Sequence, residues 1–210
     1  MNLRVLLTAG VAVFAYLKFV RPWVLNWGAR PEEVSRTMPG DELLADVALQ
    51  TTRAITIEAT ADRIWPWLVQ MGPRPRAGVY TYDFIERLLG IDIENSDRLM
   101  PEHQHMAPGD SWPINKRGTG IVVRDVQPQR AIVLQWTPGL STWSFGLYPE
   151  GESTRLISRN RLPGSGPGFW LMAAFMEPGS LVMERKMLLG IKQRAERPAT
   201  QGASSAATAT

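Results

Sequence analysis

Between Arg53 and Gly72 the hydrophobic pattern changes its period from two to about 3.6. Ile55 and Ile57 alternate with Thr56 and Glu58, as in a half-buried strand. Ile64, Leu68 and Met71 then fall on one helical stripe behind Thr60, a residue able to cap the first turn. The spacing predicts a strand that passes straight into a helix. Mostly strands follow, and one more strong helix is expected over residues 180–197.

The central strands can be tested for a register that keeps apolar residues on one face, because directly opposed antiparallel partners project to the same side. Pairing Val126 with Ala131 sets Val123 opposite Leu134 and Ile121 opposite Trp136. Across the turn at 137–142, Trp136 then opposes Trp143, Leu134 opposes Phe145 and Ile132 opposes Leu147. A tight turn at Glu150 and Gly151 sets Phe145 opposite Leu156 and Trp143 opposite Ser158. The three hairpins agree on a single apolar face. The other face carries Arg124, Gln135, Thr142, Ser144, Arg155 and Arg159, as in a sheet wetted on one side. A slip of one residue would turn Arg155, Arg159 and Arg161 inward, where unpaired guanidinium groups are very costly.

The helix over 180–197 is expected to cover the apolar face, with Met183, Met187, Leu188, Ile191 and Ala195 along one side and Glu184, Arg185, Lys192 and Arg194 mainly elsewhere. Methionines adapt to irregular shapes, which suits the lid of a cavity. Plain core packing explains the same stripe.

Residues 5–17 form an almost unbroken apolar run between Arg4 and Lys18. A helix over 3–20 would be roughly 27 Å long, against about 30 Å for a bilayer's hydrocarbon core, with Trp23 and Trp27 where interfacial aromatics belong. The expectation is a retained single-pass membrane anchor over 1–27. A cleaved signal peptide competes with it, but the only small-residue site, Val13-Phe14-Ala15, lies inside the run, and a buried N-terminal helix is the third reading. Lys18, Arg21 and Arg30 follow the segment, which places the remainder on the cytoplasmic side. Residues 28–50, punctuated by Pro31, Pro39 and Gly40, read as a connector with one helical turn from Pro31 to Ser35. Residues 51–197 form the folded domain, and 198–210 a disordered tail of small residues.

The chain of 210 residues, 44% hydrophobic, can build one ordinary core. A net charge of +3 with no clustering of Lys and Arg argues against a nucleic-acid partner. With no cysteine there is no disulfide, thiolate nucleophile or Cys-based metal site. No phosphate loop, dinucleotide fingerprint or Ser-His-Asp order is present, so no cofactor is implied. His103 and His105, beside Glu102, lack a third ligand and read as a loop, so no metal is expected. Gly164 to Gly168 reads as a flexible connector.

Several pieces together resemble the START-like helix-grip superfamily, which includes polyketide cyclase/dehydrase-like and lipid-transfer proteins, and more closely a bacterial branch of membrane-anchored members. They are Trp27-Gly-Ala29, Pro39-Gly-Asp41, Thr52-Arg-Ala-Ile55, Trp65-Pro-Trp-Leu-Val-Gln-Met-Gly72, Tyr80-Thr-Tyr-Asp83, Pro101-Glu102, Gly109-Asp110 and Glu184-Arg-Lys-Met-Leu-Leu-Gly-Ile-Lys192. Val79 departs from the pattern, where an aromatic residue commonly precedes Tyr80, and so does Pro73-Arg-Pro-Arg76. The resemblance implies an α+β fold in which a curved antiparallel sheet wraps a long C-terminal helix, preceded here by the N-terminal hydrophobic helix. It implies a pocket between sheet and helix for a hydrophobic or amphipathic small molecule such as a lipid or polyketide.

The residues expected at that pocket are Trp67, Tyr80, Tyr82, Trp136, Trp143, Phe145, Ser158, Asn160, Met183 and Met187, with aromatics for contact area and a few polar groups for orientation. An enzyme on this fold would need an acid or base, for which Tyr82 and Asp83, with Tyr80 and Glu86, are the weak candidates. A third class is a co-chaperone-like interaction module, with a docking surface near Trp170 and Phe175.

Overall fold

The computed structural model describes residues 8, 10, 11, 13–82, 84, 94–114, 119–137 and 141–198. A short π-helical turn, Tyr16–Val20, leads into helix α1 (Arg21–Leu25), and α2 (Pro31–Ser35) follows. Strand β1 (Leu49–Ile57) passes into α3 (Ala61–Val69), as the change of period predicts. Thr60 occupies the N-cap position of α3, but its side chain makes no capping hydrogen bond. The remaining elements are β2 (Ser111–Pro113), β3 (Gly120–Gln127), β4 (Ala131–Thr137), β5 (Thr142–Glu150), β6 (Ser153–Leu162) and α4 (Gly166–Ala195).

The six strands form one sheet in the order β1-β6-β5-β4-β3-β2, with antiparallel neighbours throughout. Helix α4 packs across it, and Met187, Leu188, Ile191 and Ala195 enter the core beside Phe145, Leu147 and Leu156. This is the helix-grip arrangement that the sequence resembles.

The expected registers differ in detail and agree in face except beyond the bulge in β3, where Val126 packs on the core side with Ile132. Ile121 opposes Trp136 and Val123 opposes Leu134, but a bulge at Arg124 moves Val126 opposite Ile132 rather than Ala131. Across the next turn Trp143 opposes Leu134, and across the last one Ser158 opposes Phe145, each two residues away from the expected pairing. A slip of two preserves the side to which every residue points, so the apolar face survives. The last hairpin closes over Gly151 and Glu152, with Gly151 in the left-handed region at φ 64°.

Three expectations are corrected. Of the residues expected on the wetted face Arg124 is exposed, but Gln135, Thr142, Ser144, Arg155 and Arg159 are all buried. The segment after α1 covers it. Glu33 of α2 accepts from Arg155 at 2.7 and 2.8 Å, and Asp41 accepts from Arg159 at 2.7 Å. Carbonyls of Glu33, Val34 and Arg36 take further Arg159 donors. The guanidinium groups therefore tolerate burial because each is matched by a carboxylate and carbonyls. Gly40, at φ 90°, lies so close to Val133 and Ser144 that a Cβ would collide with both side chains.

The long helix starts at Gly166, not at residue 180, so the Gly-rich stretch is only partly a connector. Pro178-Gly179 interrupts the periodic signal and normally ends a helix. Here α4 is held on both sides of that point. Glu177 is ion-paired to Arg21, and the Ser180 hydroxyl accepts from Arg53 and donates to the Glu177 carbonyl.

The single-pass anchor, and with it the cytoplasmic placement, is overturned as well. Among the described residues no helix is long and apolar enough to cross a membrane. Residues 13–15, Tyr16–Val20 and α1 are helical, and among the described residues they do not make the long N-terminal hydrophobic helix of the expected fold. Arg21, expected as a flanking charge, instead forms a paired contact with Glu177 on α4, and Val24 is buried in the fold. Residues 3–7, 9 and 12 of the expected span lie outside the described residues, as does the tail beyond 198.

Candidate functional site

Between the apolar face of the sheet and α4 lies a cavity of about 520 Å³. Its position follows from strand parity and helix spacing. Trp136 on β4 and Trp143 on β5 point to the α4 side, their rings stacked at 6.4 Å with an interplanar angle of 19°. Opposite them, Met172, Met176, Met183 and Met187 line the cavity from α4. Their spacings of four, seven and four residues put them on one helical face. Met172 and Met176 are also more than half exposed, so the cavity reaches the surface along the first half of α4.

One end is polar. Asn160 and Leu162 of β6, Thr51 of β1, and Glu177, Ser180 and Glu184 of α4 line it. Arg53, fully buried, is ion-paired to Glu184. Its remaining donors reach the Val24 carbonyl, at 3.1 and 3.3 Å, and the Ser180 hydroxyl at 2.9 Å. Glu184 also accepts from the Ser158 hydroxyl and from Asn160 Nδ2, the latter at 3.3 Å to each oxygen. Burial pushes the Glu184 carboxyl above the ordinary carboxylate range, against the opposing pull of Arg53 and Ser158. Trp143 joins the same network, because its indole Nε1 donates to Ser158 Oγ at 2.9 Å.

The structure brings together five of the ten expected pocket residues around the cavity: Trp136, Trp143, Asn160, Met183 and Met187. Phe145 and Ser158 lie one layer back. Phe145 is buried with its ring 4.9 Å from that of Trp143, and Ser158 bonds both Trp143 and Glu184. Trp67 and Tyr80 pack elsewhere in the core, edge to face at 6.2 Å, with the Tyr80 hydroxyl donating to the Trp67 carbonyl. Burial raises the Tyr80 phenol above its ordinary range. Tyr82 is half-buried under Lys186, 5.6 Å from its ring, and does not line the cavity. Asp83 and Glu86 lie outside the described residues. Among those described, no group of three His, Cys, Asp or Glu side chains could hold a metal.

Arg53, Thr51, Glu177 and Ser180 are absent from the expected pocket, and Glu184, expected mainly away from the apolar side of the helix, is buried and lines the cavity. Two signals in the chain point to them. Arg53 shares strand parity with Ile55 and Ile57, which puts it on the inner face of β1. Glu177, Ser180 and Glu184 continue at three- and four-residue steps into Met187, Leu188 and Ile191, so they belong to the buried stripe of α4.

No protein-family model matches the chain, and no curated protein matches it. Solved structures of similar fold exist. The solution structure of KanY shares 10% identity, covering 71% of this chain and 98% of its own, with a TM-score of 0.48. DynU16, a protein of the dynemicin biosynthetic locus, shares 16% over 67% of this chain, with a TM-score of 0.43. The chain spans 46% of DynU16's length. CalU16 from Micromonospora echinospora shares 15%, covering 77% of this chain and 70% of its own, with a TM-score of 0.41. At these identities and scores no activity is carried over from them.

Proposed function

We propose that the protein binds a hydrophobic or amphipathic small molecule, of the size of a lipid chain or a polyketide, between the sheet and α4. The observation that carries this reading is the cavity of about 520 Å³, walled by two stacked tryptophans and four methionines and polar at one end. Small-molecule sites are mostly apolar hollows of ~300–1,000 Å³ with a few convergent polar groups. A void of this size in a core is otherwise unfavourable, because its lining forgoes dispersion contacts.

The test is titration with Nile red, a neutral apolar dye, together with native mass spectrometry of the purified full chain. One equivalent of dye should bind, and Ala173→Phe should abolish that binding, since Ala173 lines the cavity from α4 outside the polar cluster. Equal binding by the filled variant would refute the reading.

A second reading, docking of a protein segment, is supported by the first half of α4. Leu171 and Phe175 are 77% and 84% exposed there, and Trp170 45%. Phe175→Glu discriminates the two: it would abolish docking and leave dye binding intact.

A further inference from the structure

We infer that the cavity selects a neutral guest that carries a hydroxyl, over ionised guests of the same chain length. The inference rests on the small-molecule reading above and narrows its ligand class.

Charge excludes the alternatives. Among the described residues the charged side chains lining the cavity are Glu177 and Glu184. Each already has its own guanidinium: Arg21 binds both oxygens of Glu177 at 2.7 to 3.2 Å, and Arg53 is paired with Glu184. A carboxylate guest would face two carboxylates at the polar end, with both matching cations engaged. An ammonium guest would have to displace a bidentate or fully buried arginine. Burying an ion without a partner is far more costly than burying a hydrogen-bonded neutral group.

The remaining hydrogen-bonding capacity fits a hydroxyl. Thr51 is 4% exposed, and its Oγ1 is a buried atom with no hydrogen-bond partner. Buried polar groups are normally satisfied, so an orphan beside a cavity points to something that completes it. Thr51 opposes Asn160 in the β1–β6 register, which sets the two side chains next to each other on the cavity face. Asn160 gives its amide donor to both oxygens of Glu184, and among the described residues nothing donates to its Oδ1. One donor and one acceptor are therefore left over. A χ1 step of Thr51 carries the three Cβ substituents round together by one staggered position and can turn the buried hydroxyl to the guest. A guest hydroxyl accepts from Thr51 Oγ1 and donates to Asn160 Oδ1, and an ether of the same length can use only the first.

The experiment is displacement of Nile red from the full chain at pH 8 by 1-dodecanol, its methyl ether, dodecanoate and dodecylammonium, all below their aggregation limits. Dodecanol should bind about tenfold or more tightly than each of the others, the scale of one well-placed hydrogen bond. Thr51→Val should reduce dodecanol affinity about tenfold more than it changes Nile red affinity. Removing an orphaned hydroxyl should not lower the melting temperature, so this variant remains informative. Asn160→Leu should erase the preference for alcohol over ether. Dodecanoate or dodecylammonium binding as tightly as dodecanol would overturn the inference while the cavity reading stands. A preference for alcohol over ether retained in Asn160→Leu would overturn it too. Failure of Nile red and all four probes to bind would remove the cavity reading itself, and the inference with it.

Discussion

The indole of Trp143 on β5 is tied to Ser158 on β6 by a 2.9 Å hydrogen bond, and Ser158 donates onward to Glu184 of α4. One hydroxyl thus couples the tryptophan wall of the cavity to the helix that closes it. Its position is set by strand register, since Ser158 opposes both Phe145 and Arg53.

Ser158→Ala removes that coupling without removing volume from the cavity. It leaves the Trp143 N–H unpaired and takes one donor from Glu184. An unsatisfied buried group costs about 1–3 kcal/mol, so denaturant unfolding should show a loss in that range. The Trp emission of the folded variant should shift, because an indole that has lost its partner is free to reorient.

The Arg53–Glu184 pair makes a second prediction through its burial, at 0% and 7% side-chain exposure. Replacing one member strands the other charge, and breaking such pairs costs about 3–5 kcal/mol. Arg53→Met and Glu184→Leu should each destabilise by that order, and the double variant should recover much of the loss. A double-mutant cycle on denaturant midpoints measures it. Additive losses would show that the two residues act separately.

The way the chain encodes this network explains what could be read from it. Parity along β3 to β6 predicts the apolar face even where the register is off by two, because a slip of two leaves each side chain on its side. The bulge at Arg124 has no such protection and no local signature, so the pairing beyond it is missed. Pattern reading treats a charge as a mark of solvent. Arg155, Arg159, Arg53 and Glu184 violate that rule, since each is buried against a partner more than a hundred residues away in the chain. Half of the expected pocket residues lie one layer or more from the cavity for a related reason. Trp67 and Tyr80 are large aromatics of the right type, and composition alone cannot tell a cavity wall from solid core.

Acid should unfold the protein partly through Glu33. Burial by itself would raise this carboxyl, but hydrogen bonds from Arg155 and the Arg30 backbone, with the charge of Arg155, bring it below the ordinary carboxylate range. A depressed folded-state pKa contributes stability above the unfolded value, about 4.3 for Glu, and that contribution disappears as pH falls through the folded value. The gap in stability between the parent and Glu33→Gln should therefore be widest near pH 6 and shrink below pH 4. Glu184 has the opposite sign. Its raised carboxyl contributes stability below its unfolded pKa, and the contribution is lost as pH rises through the folded value. Urea midpoints of the parent and both variants from pH 3 to 8 separate the two residues.

The mouth of the cavity supplies the last prediction. Met172 and Met176 line the interior and are also 55% and 54% exposed, so a guest can pass between them with little rearrangement of the sheet. Unbranched methionines yield at small cost. A rigid indole at the same place would not. Met176→Trp should leave the melting temperature within about 1 °C of the parent, as surface substitutions usually change stability little. It should nevertheless slow both uptake and release of Nile red several-fold in stopped-flow traces, with the equilibrium affinity nearly unchanged. Equal slowing on both limbs marks a gate rather than a contact, because a lost or gained contact would change release far more than uptake.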